Sequence, residues 1–130
     1  VSGALDIVGA REAERAAAAA QLASEAALRD SARAVAAAEQ SYRLELAKAI
    51  TRIHAEGVAW SSTADLARGN ERVAGLRYAR DVAQGVHEAA QQAAFRHGAD
   101  RRALGRLIEW SARIDLRSNG ETEQPFRLAA

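Results

Sequence analysis

The sequence predicts an all-α protein: a long antiparallel helical hairpin with a structured hinge, closing into a bundle or a coiled-coil-like homodimer. Three observations lead there. Residues 10–56 contain neither proline nor glycine, so nothing in that run breaks a helix. Alanine, the strongest helix former, occurs 34 times against 29 large apolar residues (Leu, Ile, Val, Phe, Trp, Tyr). Apolar residues recur at alternating three- and four-residue spacing, which is a helical period. Half of the apolar composition is therefore methyl groups that bury little area each. The core is expected to be thin, with helix axes toward the lower end of the usual range of about 8 to 10 Å.

A length of 130 residues fits one helical domain over 1–117. The first arm is read as 10–56, and its halves differ. From 10 to 40 only Leu22, Leu28 and Val35 are large and apolar, so propensity supports the helix there better than packing does. From Tyr42 onward, Tyr42, Leu46, Ala49/Ile50 and Ile53 follow the spacing of one buried face.

Residues 57–70 read as the hinge, carrying a short helix over about 63–68. Gly57 stops the first arm. Ser62 with Asp65 three residues later resembles a capping box, and Gly69 is expected in a left-handed conformation at the helix end. Asn70 and Glu71 supply an N-cap and a first-turn acid for the next helix.

The second arm is read as 71–117. Leu76, Ala79, Ala83, Val86, Ala90 and Ala93 form a heptad-like seam made mostly of alanine. The phase continues through His97, Asp100, Leu104, Leu107, Ser111 and Ile114, and beside Asp100 lies Gly98. There the helix bends or breaks, with a bend favoured. Gly75, Gly85 and Gly105 each cost about 1 kcal/mol relative to alanine inside a helix, and close helix crossing is the simplest reason for them. Asn119-Gly120 and Pro125 mark 118–130 as a flexible tail in which Phe126 and Leu128 are the residues able to dock.

Two helices cannot enclose a core. Each leaves an apolar strip facing water, so a hairpin of this length is expected to complete a four-helix arrangement with a second copy. The six seam residues from Leu76 to Ala93 are the candidates for self-association, in a dimer.

Eighteen basic and seventeen acidic residues leave a net charge of +1, which provides no bulk field toward nucleic acid or an anionic membrane. The balance is uneven: residues 67–117 carry ten basic and six acidic groups, whereas 1–66 carry seven and nine. Arg102, Arg106 and Arg113 are the candidates for nucleic-acid contact. Pairs such as Glu39 with Arg43 and Glu109 with Arg113 point instead to an ordinary solvated helix face, so nucleic-acid binding at physiological salt is expected to be weak.

There is no cysteine, which removes thiolate and disulfide chemistry and fits a cytoplasmic location. No apolar run reaches the roughly 20 residues of a membrane span. His54 and His87 have no acid or histidine three or four residues away, and His97 has only Asp100, three residues on, which is too few ligands for a helical metal site. Neither a phosphate-binding glycine loop nor a nucleophile elbow is present. No enzymatic activity, cofactor or metal is expected.

The strings Tyr42-Arg43, Ala47 to Ile50, Asp65-Leu66-Ala67-Arg68-Gly69, Val73-Ala74-Gly75-Leu76-Arg77 and Arg80-Asp81-Val82-Ala83 resemble small α-helical proteins of phages that infect actinobacteria, mycobacteriophages among them. The resemblance covers 41–117. It implies a role in the cytoplasm of an infected host, since such proteins are often encoded among early genes near those for DNA recombination and replication. The expected function is that of a non-enzymatic, self-associating helical phage protein acting on another macromolecule, a protein partner above all. Two other readings stand beside it: direct nucleic-acid binding through the basic second arm, and a virion or assembly component.

Overall fold

In the computed structural model, residues 7–122 are described, with side chains through residue 120. Three helices follow one another: α1 (Ile7–Ala55), α2 (Trp60–Arg68) and α3 (Glu71–Thr122). Among the described residues there is no strand. The long helices α1 and α3 pack against each other in antiparallel sense: Ser31 meets His87, whereas Tyr42, further along α1, meets Arg80, earlier on α3. The predicted hairpin and hinge are therefore present.

The chain divides into two compact units, Ser24–Ala93 and the described residues on either side of it. The core lies in Ser24–Ala93, where all three helices meet. Tyr42 and Ala49 of α1, Ala67 of α2 and Val73 of α3 are buried, and Leu46, Ile50, Ile53 and Leu76 pack against them. The stripe read from Tyr42 to Ile53 supplies this core from α1. Ala67 and Thr63 are wholly covered, at 0% exposure, so α2 is pressed onto the long helices by its small side chains. The Thr63 hydroxyl donates to the Ala59 carbonyl at 2.8 Å, which satisfies it without water.

The hinge departs from expectation at both ends of α2. The helix starts at Trp60, and its N-cap is Ala59, three residues before the expected Ser62, with no side-chain cap bond. Trp60 stacks on His54 with ring centroids 3.5 Å apart. His54 Nδ1 also lies 3.0 Å from the Val58 carbonyl; a carbonyl only accepts, so that nitrogen carries the proton. These contacts draw 58–60 back onto the end of α1 and start α2 early. Asp65 is thereby carried into the body of the helix, where it pairs with Arg68 at 3.2 Å instead of capping. Gly69 has φ −78°, a helical value, and the left-handed glycine is Gly57, at φ +94°. The tightest reversal thus falls at the end of α1. Asn70 does cap α3, its Oδ1 accepting from the N–H groups of Arg72 and Val73 at 3.0 and 3.3 Å.

Strain follows the glycine with positive φ. Gly57→Val should lower stability by about 1 to 2 kcal/mol, because a β-branched residue resists the left-handed region. A Cβ on Gly69 would meet only ordinary contacts, the nearest at 3.5 Å, so Gly69→Ala should change the melting temperature little. Thermal denaturation of both variants checks the assignment.

Helix α3 is continuous through Gly98 and runs on through Asn119 and Gly120 to Thr122. Residues 118–122, expected in a flexible tail, thus belong to the helix; a helix already nucleated carries a few poor formers at modest cost each. Phe126 and Leu128 lie outside the described residues. A Cβ added at Gly85 or Gly105 would meet nothing within 4 Å, so close crossing within the chain does not explain these glycines. Gly105→Ala should accordingly raise the stability of α3 by about 0.5 to 1 kcal/mol, read as a higher urea midpoint.

Candidate interaction surfaces

Because an α-helix turns about 100° per residue, each residue of α3 has a fixed face. In Ser24–Ala93 the face turned to α1 comprises Val73, Leu76, Arg80, Ala83, His87 and Ala90, all buried or half-buried. Two of these are polar, and each is answered from α1. Arg80, its side chain 19% exposed, lies 4.5 Å over the Tyr42 ring, 3.5 Å from Glu39 and 3.0 Å from Asp81. The hydrogen bond to Asp81, together with the charges of Asp81 and Glu39, raises the Arg80 pKa above its ordinary value despite desolvation, so it stays charged. Ser31, 6% exposed, donates to the Leu28 carbonyl at 2.9 Å, which leaves its oxygen free to accept from His87 Nδ1 at the same distance.

The six candidate residues for self-association divide between two faces. Leu76, Ala83 and Ala90 turn to α1, with Ala93 half-buried at the edge, whereas Ala79 and Val86 are exposed. Arg80 and His87, absent from the expected seam because they are polar, are half-buried on the inward face. Val82 and Ala89, also outside the expected seam, are exposed. With them the free face becomes a second stripe, Gly75, Ala79, Val82, Val86, Ala89 and Ala93, at spacings of four and three residues and without a charge. Val86 is 57% exposed, and Tyr78 and Gly85 border the stripe on its outer side. That uninterrupted 4-3-4-3-4 spacing was the available signal.

The other unit presents different chemistry. Leu104, Ile108 and Ser111 of α3 are half-buried, and Arg101 donates to Gln21 of α1 at 3.1 Å. Between the helices Ile7, Ala10, Leu107, Ile108 and Ala112, with Arg11, Ser111 and Asp115, line a largely apolar groove of about 220 Å³. On the outward side, the nucleic-acid candidates Arg102, Arg106 and Arg113 are all exposed. They share an arc of about 80° with Arg117, Phe95 and Trp110, which are exposed too. Among the described residues no ion pair within 4.0 Å reaches these four arginines. The expected Glu109–Arg113 pair is open, while Glu39–Arg43 closes at 2.7 Å.

Among the described residues, no group of three or more His, Asp or Glu side chains is placed to hold a metal ion, and no helix is long and apolar enough to cross a membrane. Among the described residues the fold is all-α, with α1 and α3 packed in antiparallel sense. No family model, curated protein or solved structure matches the chain.

Proposed function

We propose that this is a non-enzymatic, self-associating helical protein that works by binding other macromolecules, with a second copy of itself seated on the free stripe of α3. The observation that carries the reading is the stripe itself. Over 75–93, about 27 Å of helix at 1.5 Å per residue, one face offers only glycine, alanine and valine to water, while the core of the same unit holds four buried apolar residues. Small side chains let two helices approach closely, and a two-fold axis brings the same stripe from each copy together, which completes a four-helix layer. A dimer of this kind fits an accessory to phage or host DNA metabolism in the host cytoplasm, the setting implied by the resemblance of 41–117, acting on a protein partner. Sedimentation velocity of the full chain tests the first step. A dimer at tens of micromolar supports it, and a monomer at that concentration removes it.

A further inference from the structure

We infer that the outward face of α3 beyond Ala94 is a binding surface for single-stranded nucleic acid, with Arg102, Arg106, Arg113 and Arg117 on the phosphates and Trp110 stacking against a base. This surface is separate from the self-association stripe and does not depend on it. Charge complementarity identifies the occupant. Four arginines along about 22 Å of one helix face are spaced as two pairs, 102 with 106 and 113 with 117. Like charges four residues apart on a helix repel each other mildly, and no described acid lies within ion-pairing distance of any of the four. A chain of phosphates relieves that repulsion and releases counterions.

The aromatic residue decides between single strand and duplex. Trp110 is 56% exposed and, with Arg113, Ile114 and Arg117, lines a shallow recess of about 220 Å³. A duplex keeps its base faces stacked and would leave this ring unused, whereas a single strand offers each base to an aromatic platform whatever the sequence. Phe95, exposed at the other end of the same arc, provides a second ring. In the Ser24–Ala93 unit, by comparison, four of the eight arginines, Arg43, Arg68, Arg72 and Arg80, are held by acids.

The test is fluorescence anisotropy of a labelled oligo-dT with the full chain, in a Trp60→Phe background so that Trp110 is the remaining indole. Binding at low salt, with quenching of Trp110, is expected. For four phosphates on a single strand, a threefold rise in salt should weaken it about 20-fold. Replacing Arg106, Arg113 and Arg117 with alanine should cut that loss to about twofold. Trp110→Ala should weaken binding about tenfold and leave the salt dependence as it was. All these positions are exposed, and circular dichroism verifies that the variants keep their helices. Several results would overturn the inference: no binding at low salt, preference for duplex, binding only to phosphatidylserine vesicles, or an equal loss when Arg43, Arg68 and Arg77 are replaced instead.

Discussion

Replacing Val82 and Val86 together with glutamate should turn a dimer into a monomer at tens of micromolar without loss of helix. Both positions are about half exposed in the single chain, so a carboxylate there remains in water and the fold tolerates it. In a two-fold dimer the same carboxylates appear twice and are buried without partners, which costs several kcal/mol in total. Each 1.4 kcal/mol is a tenfold loss in affinity, so even a nanomolar dimer would dissociate beyond the micromolar range. Ala83→Glu and Ala90→Glu should behave differently. Both side chains turn to α1, and a charge there attacks the packing of the hairpin itself, seen as a lower melting temperature before any change of oligomer. Light scattering combined with circular dichroism separates the two outcomes. A dimer that survives Val82→Glu/Val86→Glu would take the interface away from this stripe.

The hairpin was legible because its signals are local and mutually consistent. An unbroken run from 10 to 56, the Tyr42 to Ile53 stripe and the Asn70 cap each specify a helix without reference to distant residues. Phase was harder to read. Leu76, Ala83 and Ala90 lie on the row that two adjacent heptad faces share, and the choice between Ala79 and Arg80, or Val86 and His87, depends on what α1 presents opposite. Tyr42, Glu39 and Ser31 make Arg80 and His87 acceptable inside, and that is a tertiary fact. The hinge failed for a related reason: the His54–Trp60 stack, a contact across the turn, started α2 early and left Ser62 and Asp65 unused as caps. Among the candidate sites, the exposed arginines were legible from charge alone. Their alignment with Arg117 and Trp110 follows from helical spacing, and only the exposure of that face and the open Glu109–Arg113 pair needed coordinates.

Tyr42→Ala should be the most damaging single truncation, lowering the stability of the Ser24–Ala93 unit by about 3 to 5 kcal/mol, the usual cost of removing a buried aromatic ring. The size follows from how little else is buried. Ala49 and Ala67 contribute a methyl group each, so Tyr42 and Val73 carry most of the covered area among the four core residues. The ring is also the floor under the Arg80 guanidinium, 4.5 Å away, and without it Arg80 keeps only its carboxylate partners, Glu39 and Asp81. Tyr42→Phe retains both the area and the π face and should cost less than about 1 kcal/mol. If the ring and the guanidinium act together, the losses in Tyr42→Ala and Arg80→Ala should sum to more than the loss in the double variant. Urea denaturation of the four proteins gives that cycle directly. A mild Tyr42→Ala, or additive losses, would mean that the unit is held chiefly by helix propensity and backbone hydrogen bonds, with the apolar cluster a minor contributor.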